Sequence, residues 1–352
     1  MNMKKRYNLF LTILGSAGML ILILDSQLVF RSAAEGIDMC LKSIIPALFP
    51  FLVVSSMITG CVCINKKGQS SIITKLMGIP SGTEYLLLLG FLGGYPNGAQ
   101  NVYQLYDGKN IKRKDAERML PICNQAGPAF IFGMIPCLFT SLWIPFTLWV
   151  IQIVSALVAS AILPGKSRNA AHHCMGNSRN VVAALQTAVR TMGWICGWVV
   201  LFRIIIVFIE QRVFAFLPVI LQVIIAGLLE LSNGIFSLNA THNEFVRFVL
   251  TSVFMSFGGL CVLLQTKSVV KDLSLNVYFL GKVMQLLIAM LLSVIIYPLI
   301  FGNCEISVFI LSAICLLLSL MIAVFVVALK KIVAIPKKVL YNKKKSESEV
   351  LV

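Results

Sequence analysis

"GFLGGYPNGAQ", residues 90–100, ends the apolar run "YLLLLGFLGG" with a proline, an asparagine and glycines where a membrane helix should continue. A second interruption follows in "GLLELSNGIFS", residues 227–237, where Glu230 and an Asn-Gly pair sit inside another apolar run. A helix broken inside a bilayer exposes backbone N–H and C=O groups, each destabilising by several kcal/mol unless protein, water or a solute satisfies it. Glycines permit close approach at such a break, and Pro96 removes a helical donor. Two costly breaks in similar contexts point to a site rather than to two chance turns.

Composition sets the environment of these breaks. Hydrophobic residues make up 58% of the 352-residue chain and charged residues 12%, against about 25% charged in a soluble domain. Mean hydropathy is +0.90. The chain therefore reads as an all-α polytopic membrane protein with the lipid bilayer as its solvent. Its net charge of +16 falls in short segments between apolar runs, which marks membrane topology rather than a nucleic-acid surface. The ten cysteines lie singly, apart from "CVC" at 61–63, with no paired CxxC spacing. "HHC" at 172–174 is the one cluster of soft ligands and reads as a polar loop, so no metal site is expected.

Run length and Lys/Arg flanks place eight spans at about 8–30, 36–62, 119–140, 141–163, 181–209, 243–265, 277–300 and 306–330. The charged start and apolar core of "MNMKKRYNLFLTILGSAGMLILIL" resemble a signal peptide, but no clear cleavage site follows, and the segment reads as the first span. The interrupted stretches 82–106 and 213–240 read as re-entrant helical hairpins. With "MKKR" inside, this arrangement puts "INKKGQ", "DGKNIKRKDAER", "PGKSRN", "TKSVVKD" and "KKKSESE" on the cytoplasmic side, leaving Arg31 and Arg212 outside. Reading the first hairpin as a full span would divide the basic loops between two sides, against the positive-inside rule. The segment 112–120, "KRKDAERML", reads as a solvated surface helix.

The order of features repeats. "CLKSIIPALFPFLVVSS" (40–56) aligns with "AVRTMGWICGWVVLFRI" (188–204), setting Lys42 opposite Arg190. Asn97-Gly98 then matches Asn233-Gly234, and "CNQAGPAFIFGMI" (123–135) matches "MSFGGLCVLLQT" (255–266) through Gly127 and Gly258. The arms run in opposite directions, so the units form two inverted repeats. The expected organisation is an N-terminal helix (1–33), a first repeat (34–165), a second (166–270), C-terminal helices (271–330) and a basic cytoplasmic tail (331–352).

Inverted repeats with broken helices are the architecture of secondary transporters, whose sites lie near the bilayer midplane. Expected solute-binding residues are Asn97, Gly98, Asn124, Gln125, Gly127, Glu230, Asn233 and Gly234. Lys42 and Arg190 are candidate partners for an anion. Glu230 is an intramembrane acid suited to a coupling proton or sodium ion. Arg203, in "LFRIII", requires a partner at that depth.

"GYPNGAQ", followed by "AERMLPICNQAGPAFIFG" and later by "GLLELSNGI" and "SFGGLCVLLQ", resembles the sporulation integral membrane proteins of YlbJ type. These belong to the nucleoside recognition (Gate) domain group, related to concentrative nucleoside transporters. The resemblance covers about residues 30–300. It implies movement of a small solute, with dipicolinate the candidate cargo, in the bacterial cell membrane or the outer membrane around a forming endospore. A nucleoside transporter and a non-transporting envelope scaffold are the alternatives, and a homo-oligomer is compatible with each. No enzyme is expected, since three histidines occur without an HExxH or GxSxG motif.

Overall fold

The computed structural model describes residues 12–61 (apart from 14, 17 and 21), 72–164, 181–212 and 216–301. The expected span 306–330, the tail 331–352, the loop "INKKGQ" and the "HHC" cluster lie outside the described residues. Within them the secondary structure is helical, with short π and 3-10 turns and no strand. From Ser26 on, the helices in chain order are α1 (Ser26–Met39), α2 (Ile45–Cys61), α3 (Ile72–Met77), α4 (Glu84–Gly93), α5 (Asn97–Asp107), α6 (Arg113–Cys123) and α7 (Pro128–Met134). They continue as α8 (Trp143–Ile162), α9 (Val181–Arg212), α10 (Val219–Leu229), α11 (Leu231–Ser237), α12 (Glu244–Phe257), α13 (Gly259–Val270) and α14 (Asn276–Phe301).

Among the described residues five stretches are long and apolar enough to cross a membrane: Ser26–Val54, Trp143–Ile162, Val181–Arg212, Glu244–Val270 and Asn276–Phe301. Large apolar side chains such as Phe30, Leu41, Trp143, Val189 and Leu299 remain exposed on them, as they would facing lipid. The chain is an integral membrane protein. Eight spans were expected, and the described residues depart from that count in two places.

The loop expected between spans 8–30 and 36–62 is helical: α1 runs into α2 through a π turn at Cys40–Ile44. Its charges stay in the helix because each finds a partner. Arg31 pairs with Glu35 at 3.2 Å and Lys42 with Asp38 at 2.8 Å, both one turn apart. Glu35 also accepts from Arg203 of α9 at 2.8 Å. The second departure is the span expected over 119–140, which is broken. α6 stops at Cys123, residues 124–127 are non-helical, and α7 restarts at Pro128. The expected span 243–265 is interrupted as well, by Gly258 and Gly259 at φ +83° and +79°, a region glycine enters readily.

The long arms α1–α2 and α9 pack antiparallel. Asp25 meets Arg212 at 2.6 Å, Glu35 meets Arg203, Gly36 packs on Val200, and the Cys40 thiol faces the Cys196 carbonyl. Each interrupted stretch folds back as a helix pair. In α4–α5, a Cβ on either Gly90 or Gly98 would fall on the Cys123 carbonyl, so the two limbs straddle the end of α6. In α10–α11, Gly227 and Gly234 touch each other and stack on the Phe254 ring of α12.

The two pairs open toward opposite ends of the molecule. Tyr103 and Tyr106 of α5 donate to Asp272 at 3.2 and 3.0 Å, beside the start of α14. Tyr297, near the other end of α14, donates to Glu244 at 3.0 Å, just beyond the α11 limb. Asp272 is held below the usual carboxylate range by its own backbone N–H and then by the Tyr106 and Tyr103 phenols. The expected solvated face of 112–120 is partly buried: Asp115 and Arg118 are inside. The Arg118 guanidinium donates to the carbonyls of Met77, Gly78, Ser160, Leu163 and Pro164 at 2.5–3.0 Å, closing the last turns of α3 and α8.

Candidate functional site

Four helix breaks meet at one place. Gly94, in the α4–α5 turn with φ +73°, packs on Gly127 in the break after α6. Its neighbour Tyr95, whose peptide bond to Pro96 is cis, donates to the Met255 carbonyl of α12 at 2.8 Å. Gly259 packs on the Leu229 carbonyl at the end of α10, so a Cβ there would lie 3.1 Å from that oxygen. Between the breaks lies a cavity of about 50 Å³ whose walls include Gly94, Tyr95, Gly127, Glu230, Ser232 and Gln265. That volume holds a few waters, so a solute with an aromatic ring enters only when the walls part.

Glu230 is the tip residue of the α10–α11 pair and is 3% exposed. Its backbone is extended, which ends α10, and its side chain caps α11. Oε1 accepts from the Ser232 N–H at 3.0 Å, and Oε2 from the Asn233 N–H at 2.7 Å and the Asn233 side-chain amide at 2.8 Å. The carboxylate therefore occupies the positive end of α11. Asn233 is oriented in turn by Arg203, which donates to its Oδ1 at 3.3 Å. A polar line thus runs from Glu35 through Arg203 and Asn233 to the cavity wall.

The second polar group surrounds the break after α6. Asn124 Nδ2 donates to Thr266 Oγ1 at 2.9 Å and to the Tyr278 hydroxyl at 3.2 Å, while its Oδ1 accepts from the Ala99 N–H of α5 at 3.4 Å. Gln125 and Gln285 exchange side-chain hydrogen bonds at 2.8 and 3.1 Å. Gln152 of α8 donates to Gln125 Oε1 at 3.4 Å and to the Ala126 carbonyl at 3.3 Å. Into this amide cluster projects Lys282, 1% exposed.

The expected site residues divide accordingly. Gly127 and Glu230 line the cavity; Asn124, Gln125 and Asn233 lie in the polar groups behind it. Asn97 donates back to the Gly93 carbonyl at 3.3 Å, tying the turn of its own hairpin. Gly98 and Gly234 are close-packing positions. Lys42 and Arg190 are exposed on the arms and are not among the cavity's walls.

Tyr95, Gln152, Gln265, Tyr278, Lys282 and Gln285 were not anticipated. A signal for three of them was present: in "NVYFLGKVMQLL" (276–287), Tyr278, Lys282 and Gln285 recur at the four- and three-residue spacing of one helix face. Among the described residues no three His, Cys, Asp or Glu side chains gather as a metal site.

A 111-residue stretch, 31% of this chain, is 27% identical to the sporulation integral membrane protein YlbJ of Bacillus subtilis (strain 168). The match spans 27% of that relative's length. No protein-family model matches the chain. No solved structure matches it.

Proposed function

We propose that this protein is a membrane transporter of a small organic solute, an anion such as dipicolinate in a cell forming an endospore. The observation that carries the reading is the meeting of four helix breaks at a cavity with an intramembrane carboxylate on its wall. Broken helices at membrane depth are tolerated where they line a cavity or are buried in protein, and transporters place their sites there. The antiparallel arms, the oppositely opening hairpins and the matched Gly90/Gly98 and Gly227/Gly234 contacts support two inverted repeats around that site. The end carrying Lys109, Lys112, Arg113, Lys114, Lys267 and Lys271 is then cytoplasmic. The partial identity to a sporulation integral membrane protein supports the endospore setting.

A nucleoside is the second reading, favoured by Glu230, whose oxygens on the cavity wall suit ribose hydroxyls. Uptake by the purified full chain in proteoliposomes decides. Saturable entry of labelled dipicolinate that is blocked by excess unlabelled solute is the expected result. Entry of uridine alone would select the nucleoside, and saturable entry of neither would overturn transport and leave an envelope scaffold.

A further inference from the structure

Lys282 is the one charged residue in α14, a 26-residue helix apolar enough to span a membrane. It lies less than two turns inside the helix and is buried to 1% exposure beside Tyr95 of the α4–α5 turn and Gln125 of the break after α6. Its ammonium donates to the Tyr95 hydroxyl at 3.4 Å, Gln125 Oε1 at 3.2 Å and Gln285 Oε1 at 3.1 Å, all neutral acceptors. No ion pair is made to it among the described residues. The rings of Tyr95 and Tyr278 flank it at 5.1 and 5.9 Å. An intramembrane lysine without a counter-charge is costly, and such residues ordinarily serve a pathway or a ligand.

The amides do not need the ammonium to be satisfied. Gln125 Oε1 already accepts from Gln285 at 2.8 Å, and Gln285 Oε1 from Gln125 at 3.1 Å. The three bonds from Lys282 are also long for a cation, which forms bonds of about 2.7–2.9 Å with a carboxylate. They are therefore readily exchanged for a better acceptor. The weakest goes to Tyr95, and Tyr95 is also a wall of the cavity. One ring thus separates the solute cavity from a buried lysine that has no counter-charge.

We infer that Lys282 recognises a carboxylate of the transported solute, reached from the cavity when the Tyr95 ring moves aside; the inference rests on the transport reading. The solute class is a small planar carboxylate, whose flat face packs against the Tyr278 ring while one acid group replaces the Tyr95 hydroxyl on the ammonium. Glu230 is compatible with this because three N–H donors at the start of α11 offset the charge of its carboxylate.

The test is binding of pyridine-2,6-dicarboxylate and of pyridine-2,6-dicarboxamide, the same ring without charge, to the purified full chain. Wild type should prefer the acid by about tenfold or more, the scale of one charge-assisted hydrogen bond. Lys282→Met should erase that preference by weakening the acid and leaving the amide unchanged, and Lys282→Arg should restore part of it. A Met variant that keeps the wild-type preference overturns the inference and leaves transport standing. Equal loss of both ligands with a lowered unfolding midpoint assigns Lys282 a structural role and also overturns it. Wild type that binds the amide as tightly as the acid retains a solute site but refutes carboxylate recognition. Binding of neither compound removes the inference together with the anion reading beneath it.

Discussion

Glu230 holds three N–H donors with two oxygens, and this geometry separates its structural task from any task toward solute. In Glu230→Gln a single oxygen remains, so if it stays with Asn233 the new NH₂ group faces the Ser232 N–H. Setting donor against donor in a buried site costs about 1–3 kcal/mol. The purified variant should insert, fold and unfold a few degrees lower than wild type. Its solute uptake should nevertheless be lost altogether, because a carboxylate on the cavity wall that binds a coupling ion or a solute hydroxyl is not replaced by an amide. Wild-type uptake per folded molecule would leave Glu230 a helix cap and nothing more.

Among the elements, α6 carries a role that its charge conceals. "KRKDAER" has the composition of a wet surface, yet Arg118 reaches five carbonyls at the ends of α3 and α8. A lysine has three donors on a compact head and cannot reproduce that fork. Arg118→Lys should therefore lower stability by about 1–3 kcal/mol, read as a falling thermal midpoint in detergent. An unchanged midpoint would mean that the carbonyls find other donors. Arg118 was illegible because burial of a charge depends on partners about 40 residues away in the chain. The helix breaks at Pro96 and Glu230 were legible, since proline, glycine and an acid in an apolar run have local causes. The break at 124–127 was half legible: "CNQAGP" carries two amides and a glycine-proline pair, but its apolar flanks suggest a continuous span. Lys282 was missed for a different reason. It sits near the start of a span, where a lysine ordinarily reaches the interface, and only the packing of the α4–α5 turn and the break after α6 against it makes it a buried lysine.

At the scale of the whole molecule, the two hairpins and the basic residues divide the chain into two unlike ends. Lys109, Lys112, Lys267 and Lys271 gather where the first hairpin opens, whereas Asn239 and Thr241 mark the opening of the second. Single cysteines introduced at Lys109 and Asn239 in a cysteine-free background should react with an impermeant thiol reagent from opposite sides, Lys109 from the cytoplasm. Reaction of both from one side would contradict the oppositely opening arrangement.

The seam between α1–α2 and α9 has one more consequence. Cys40 and Cys196, both native, face each other across it, with the Cys40 sulfur 3.9 Å from the Cys196 carbonyl. If the arms slide by one helical turn during a cycle, these two positions separate by about 5.4 Å; if they rock as a fixed pair, the spacing holds. The two native thiols would thus report such a slide without a foreign probe.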